Sequence, residues 1–278
     1  MKYPLQGPGT ALKTQMTEKT EAIRLYVAAP LATGGLIMLD PQQSHYLRNV
    51  MRRKVGDSIG LFNGRDGEWR AEIVEAGKKA TSCTVSEQTQ AQWENPDLWL
   101  LFAPLKRGKI DYLAARATEL GVRALQPVFT AHTNAARINL ARLEANAIEA
   151  AEQCRLVSVP EIRAPEKLDS LLDRWPADRH ILFCDESGNS PPVAQALAPF
   201  RHDDTGTSTP WAILIGPEGG FSAAEQQRLR TLDCATPVSL GPRIMRAETA
   251  AIAALSVWQA LLGDWHIAGK FAPINTNL

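Results

Sequence analysis

Cysteine is scarce in this chain. There are four in 278 residues, at Cys83, Cys154, Cys184 and Cys234, with no CxxC pair. That excludes a disulfide framework or a cysteine-based zinc site as the organising principle. The five histidines follow no metal-ligand spacing, so a metal-free protein is expected. No apolar run approaches the length that crosses a bilayer. The polar stretch 1–20 lacks the apolar core of a signal peptide and reads as a flexible extension, with Met16 as an alternative start. These absences point to a reduced, cytoplasmic protein that does not enter a membrane. Neither a GxGxxG fingerprint nor a P-loop is present, which disfavours a dinucleotide-binding enzyme. An excess of one charge is missing too: 30 Lys and Arg balance 30 Asp and Glu. Zero net charge counts against indiscriminate nucleic-acid binding, because counterion release needs cations facing phosphates. The cations that exist are clustered, however, and local distribution decides such binding. Arg48, Arg52, Arg53 and Lys54 form one group, Lys106, Arg107 and Lys109 a second, and Arg243 and Arg246 a third.

What is present falls into two rhythms. From residue 23 to about 90 the chain shows short strand signals broken by tight turns, such as Arg24-Leu25-Tyr26-Val27 and Glu68-Trp69-Arg70-Ala71. Asp40-Pro41 has the form of a helix start, with Asp as N-cap and Pro at the first helical position. In the helix that follows, Leu47, Val50 and Met51 share one face, and His45, Arg48 and Arg52 another. Short strands with frequent turns predict a small β-barrel over 21–92. The polar stretch 92–97, with Pro96, reads as a linker. From Leu98 onward strands alternate with helices. Strands are expected at 98–102, 124–129, 181–184, 212–215 and 238–240. Helices are expected at 110–120, 140–154, 168–175, 223–232 and 248–262. That alternation predicts an α/β domain over 97–268, with a parallel sheet covered on both faces.

Two glycine-bearing loops join strands to helices in this second part. The first is Ile215-Gly216-Pro217-Glu218-Gly219-Gly220-Phe221-Ser222, where Ser222 and Glu225 have capping-box spacing. Loops at the carboxyl ends of parallel strands are the usual ligand site of open α/β sheets. Glycine lets a ligand approach the backbone. Glu218 disfavours a phosphate and suits a ligand with hydroxyls and a cationic centre. A purely structural strand–helix turn explains the same pattern. The second loop is Leu240-Gly241-Pro242-Arg243-Ile244-Met245-Arg246, followed by an alanine-rich helix apolar on most sides. Arg243 and Arg246 flank the start of that helix, where the helix dipole disfavours cations, so an anionic partner such as RNA is indicated. Solvation, or pairing with Glu218 and Glu248, is the plainer alternative. Glu248 also has a plain explanation as a first-turn carboxylate.

These residues carry a resemblance. The segments Leu214-Ile215-Gly216-Pro217-Glu218-Gly219-Gly220 and Leu240-Gly241-Pro242-Arg243-Ile244-Met245-Arg246-Ala247-Glu248-Thr249-Ala250 resemble the paired cofactor loops of the RsmE-type methyltransferases. Those are SPOUT-class, trefoil-knot enzymes that methylate uridine N3 in 16S rRNA. Collinear matches run from about Arg24 to Gly263. They include His45-Tyr46-Leu47-Arg48, Lys106-Arg107-Gly108-Lys109, Thr118-Glu119-Leu120-Gly121-Val122 and Ala150-Ala151-Glu152-Gln153-Cys154. One departure stands out: where the family often has a Gly-Arg pair, this chain has Arg155-Leu156.

The resemblance implies an N-terminal PUA-like β-barrel and a C-terminal domain with a deep trefoil knot. It implies a homodimer acting on 16S rRNA or the small ribosomal subunit, with S-adenosyl-L-methionine (SAM) as cofactor. Phe183, Ile215, Gly216, Pro217, Glu218, Gly219, Gly220, Leu240, Gly241, Ile244, Met245 and Thr249 would hold the cofactor. Core packing is an equal explanation for Phe183 and its neighbour Cys184. Arg24, His45, Arg48, Arg52, Arg53, Lys106, Arg107 and Arg243 would face RNA. Removing the N3 proton of uridine leaves an anion spread over N3 and two carbonyl oxygens. A fixed cation there favours it, and Arg246 is the candidate. Glu248 or water would take the proton, since arginine stays protonated. The competing functions are a knotted methyltransferase of another base or of a ribose 2′-hydroxyl, and an RNA-binding protein without catalysis.

Overall fold

The computed structural model describes residues 23–77, 80–105, 108–133, 137–201 and 209–267. The expected extension 1–20 lies outside them.

Five strands form the first sheet: β1 (Arg24–Tyr26), β2 (Leu36–Met38), β3 (Ser58–Phe62), β4 (Glu68–Ala76) and β5 (Thr81–Gln90). Their order is β1-β3-β4-β5-β2, with β1 parallel to β3 and every other pair antiparallel. Alternate residues turn inward, so Leu25, Ile37, Ile59, Leu61, Ile73, Cys83 and Val85 form one core. The expected helix start is present as α1 (Pro41–His45). Asp40 accepts from the Gln43 backbone N–H, and the Gln43 side chain accepts from Asp40. The next turn, Tyr46–Val50, widens to a π-helix, closed by Met51 N–H donating to the Tyr46 carbonyl at 2.9 Å. The extra residue rotates the expected apolar face. Leu47 stays buried, whereas Val50 and Met51 are exposed.

The second sheet is parallel throughout. It contains β6 (Leu98–Phe102), β7 (Ala124–Phe129), β8 (Glu161–Ile162), β9 (Glu166–Lys167), β10 (His180–Cys184), β11 (Trp211–Ile215) and β12 (Ala235–Val238). The order is β12-β10-β11-β6-β7-β8, with β9 also on β7. Between strands run α2 (Lys109–Glu119), α3 (Leu140–Gln153), α4 (Leu168–Leu172), α5 (Val193–Leu197) and α6 (Ala223–Arg230). The last helix is α7 (Ala247–Leu261). Strand side chains alternate between the two faces. Leu98, Leu100, Phe102, Ile213 and Ile215 meet α2 and α7 on one face. Leu101, Ile181, Phe183, Ala212 and Leu214 meet α4 and α6 on the other. Hence these strands are apolar at nearly every position.

Three expectations shift. The last strand lies at Ala235–Val238 rather than 238–240. It contains Pro237, which an edge strand tolerates because one side needs no donor. α4 ends at Leu172 rather than 175. The short elements α5, β8 and β9 were not anticipated. Gln259 ties the sheet's helices together: it is buried and donates to the Leu120 carbonyl at the end of α2 at 2.6 Å.

Candidate functional site

Because the strands are parallel, their carboxyl ends share one edge. β12, β10 and β11 are neighbours there, and the loops leaving them enclose a cavity of about 410 Å³. Its apolar wall comes from Ile215, Pro217, Leu240, Ile244 and Met245, and its polar groups from Glu186, Glu218, Arg243 and Arg246. A few charged groups around an apolar floor is the usual make-up of a small-molecule site.

The first loop holds its shape for local reasons. A side chain at Gly216 would put a Cβ 2.8 Å from the Phe221 ring, so only glycine fits. Gly220 has φ +67, and any Cβ there would meet the Glu186 carboxylate. Ser222 and Glu225 form the expected capping box at the start of α6. The buried Glu225 does more than cap: its second oxygen accepts from the Ala131 N–H at 2.8 Å, pinning the loop after β7. His132 of that loop lies 2.9 Å from the Gly219 carbonyl.

The loop after β10 is held by Asp185. Its side chain is 1% exposed and accepts from Ser187 Oγ at 2.8 Å and Ser190 Oγ at 2.5 Å, and it pairs with Arg230 of α6. Burial works to raise its carboxyl, but bonds from Ser190 and Ser187 and the Arg230 charge bring it below the ordinary carboxylate value. Beside it, burial pushes the Cys184 thiol up to about 12, so this cavity-lining cysteine stays protonated and is no nucleophile.

At the rim, Lys109 Nζ lies 3.3 Å from Glu218 and 3.5 Å from Glu248. One cation at the start of α2 thus joins the first loop to the start of α7. Pairing of Glu218 and Glu248 with the two arginines is not what the structure shows. The side chains of Arg243 and Arg246 are exposed and carry no hydrogen bond or ion pair among the described residues. Glu248 does not line the cavity. Its Oε2 is buried without a hydrogen-bond partner among the described residues.

Of the residues expected to hold a cofactor, Ile215, Gly216, Pro217, Glu218, Gly220, Leu240, Gly241, Ile244 and Met245 line the cavity. Three do not. Phe183 is fully buried and packs edge-on against Phe221 at 5.1 Å, so its role is to support the loop from beneath. Gly219 faces His132, and Thr249 is exposed on α7. Among the residues expected to face RNA, His45 and Arg52 are exposed, Arg53 is half-buried, and Arg48 donates to the Gly77 carbonyl. Arg24 is a correction: it is 6% exposed and bound on all sides, so it cannot reach a phosphate. Lys106 and Arg107 lie outside the described residues. Asp185, Arg230 and His132 escaped the sequence reading as site residues, and Lys109 was expected to contact RNA rather than to pair with the carboxylates of the site.

Comparison with known proteins bears on this site. Residues 91–259 match the model of an RNA methyltransferase domain, and residues 39–86 that of an RNA methyltransferase PUA domain. The ribosomal RNA small subunit methyltransferase E of Rickettsia conorii is 32% identical over 235 residues, 84% of this chain and 93% of that protein. The protein of the same name from Bacillus subtilis is 33% identical over 224 residues, 77% and 86% of the two chains. A methyltransferase of that name from Neisseria gonorrhoeae, solved bound to S-adenosyl methionine, superposes with a TM-score of 0.74 at 25% identity. It covers 87% of this chain and 98% of that one.

Proposed function

The chain belongs to the ribosomal RNA small subunit methyltransferase E family, and we propose that it methylates N3 of a uridine in 16S rRNA with SAM as methyl donor. The observation that carries this reading is the cavity between three parallel-strand loops, with carboxylates inside and two unpaired arginines at its edge. The residues present fit SAM. The apolar wall of Ile215, Leu240, Ile244 and Met245 suits the adenine and thioether portions. The carboxylates of Glu186 and Glu218 suit ribose hydroxyls and a cationic centre. SAM supplies a methyl group activated on sulfonium.

The protein's own part is placement and charge. Arg246, at the N-cap of α7 and on the cavity wall, is assigned to the oxygens of the uridine anion, where a fixed cation lowers the barrier. Arg243 stands beside it as a phosphate contact. The N3 proton is assigned to water or to Glu248, whose Oε2 has no hydrogen-bond partner among the described residues but lies off the cavity. Lys109 holds Glu248 and Glu218 in place from the other side. The exposed His45 and Arg52, with half-buried Arg53 beside them, form the side on which the first domain, taken as a PUA-like barrel over 21–92, holds the RNA. Residues 97–268 form the knotted methyltransferase domain. Ile244, 94% exposed at the tip of the second loop, supports a homodimer in which the partner covers it.

Arg246→Ala separates this role from cofactor binding. The expected result is a fall in kcat of about 10²–10³-fold, with SAM affinity by calorimetry unchanged. An equal loss of SAM affinity would make Arg246 a cofactor ligand instead.

A further inference from the structure

Arg24 is a buried cation with all three guanidinium nitrogens engaged, and nothing in the reaction just described uses it. Its Nε donates to Glu68 at 2.6 Å, and its guanidinium carbon lies 4.6 Å from the Phe62 ring centre; both partners belong to the first sheet. Its Nη1 donates to the Ala151 and Glu152 carbonyls at 2.9 and 3.0 Å, and Nη2 to the Leu156 carbonyl at 2.9 Å. Those three carbonyls lie at the end of α3, in the second domain. We infer that Arg24 is the positioning residue that fixes the RNA-holding sheet at one angle to the methyl-transfer cavity, by clamping β1 onto the carboxyl end of α3.

The chemistry of the joint favours an angular lock over simple adhesion. An apolar patch is present there: Phe62, Ala151 and Leu156 pack with Tyr26, Trp93 and Val159. Apolar contact is non-directional and tolerates sliding. A planar guanidinium with donors on three edges does not, because its acceptors must stay in its plane. The carbonyls it takes lie at a helix carboxyl terminus, whose negative end favours a cation, although that of Ala151 also accepts from Leu156 N–H. The edge of β1 is held in the same way, since Tyr26 N–H donates to Glu152 Oε1 at 2.8 Å. Burying such a charge is costly, so stability alone would be better served by an apolar side chain.

α3 connects this joint to the site. It spans 14 residues, about 21 Å. Its other end follows the loop whose Ala131 and His132 touch Glu225 and Gly219. A tilt at Arg24 therefore becomes a displacement of the target base relative to the methyl group, where an ångström matters.

The proposal rests on the methyl-transfer reading for its assay only. Full-length Arg24→Met and Arg24→Lys are compared with the native chain for methyl transfer to unmodified small ribosomal subunits. In parallel, spin-label distances are measured between exposed positions Val74 and Glu144. Arg24→Met should raise the KM for subunits about tenfold or more, broaden the distance distribution, and leave SAM affinity within about twofold. Arg24→Lys keeps the charge on Glu68 but loses the fork, and should fall between. Should Arg24→Met lose SAM binding, and so be misfolded, Arg24→Lys decides by the same two readouts. Native-like KM, or a native-like distance distribution, in the folded variants overturns the proposal. Absence of transfer by the native chain instead sinks the methyl-transfer reading, and the distance measurement still decides the lock.

Discussion

Asp185 is the side chain on which the cavity wall most depends. It gathers two serine hydroxyls, a backbone N–H and the Arg230 guanidinium while almost wholly removed from water. Its carboxyl titrates below its ordinary value of 3.8. A depressed native value means that ionised Asp185 stabilises the fold above about pH 3.8, and that this contribution drains away as pH falls through the native value. Asp185→Asn should cost about 1–3 kcal/mol at pH 7, from imperfectly satisfied buried partners. In urea titrations the gap from the native chain should close below pH 3.8. A gap that persists unchanged at lower pH would mean that the loss is one of shape rather than charge. At this scale the glycines of the two loops were legible in the sequence, because glycine marks tight turns and close approach. Asp185 with Arg230, and Lys109 with Glu218, were not: 45 and 109 residues separate those partners. No local pattern encodes such pairs.

At the scale of elements, the end of α3 explains the departure at Arg155-Leu156. Arg155 has φ 58, the left-handed conformation that glycine adopts freely after a helix. Leu156 N–H returns to the Ala151 carbonyl at 3.1 Å, completing a Schellman-type end. Leu156 is buried in the joint between domains, so apolar packing replaces an arginine there. Arg155→Gly relieves a strain of roughly 1–2 kcal/mol. After the chain entropy that glycine adds to the unfolded state, it should stabilise the protein by about 0.5–1 kcal/mol, measured by denaturant unfolding. A destabilised variant would show that the Arg155 side chain contributes contacts worth more than the strain. Helices such as α3 and α7 were readable from the alternation with strands, and α7 also from its alanine-rich, apolar composition. The π-turn at Tyr46–Val50 was not, because one extra residue per turn leaves no composition signal and yet moves Val50 and Met51 to the surface. β12 was misplaced because Pro237 argues against a strand unless the strand is known to be an edge.

For the whole molecule, a mixed first sheet and a parallel second sheet are joined at Phe62, Leu156 and Arg24. The two rhythms of the sequence foretold a change of architecture, since short strands broken by tight turns and strand–helix alternation differ over tens of residues. The joint itself was illegible. In the sequence Arg24 read as an RNA-facing cation within a strand, and only the folded chain shows the three carbonyls that it meets. Among the described residues no helix is long and apolar enough to cross a membrane, and no group of side chains could hold a metal ion. The most direct test is methyl transfer from labelled SAM to small ribosomal subunits lacking the modification, followed by mass analysis of the nucleosides. The expected product is 3-methyluridine. A methyl group on a ribose or on another base, or no transfer to subunits and naked rRNA alike, would contradict the assignment of this cavity to uridine N3 chemistry.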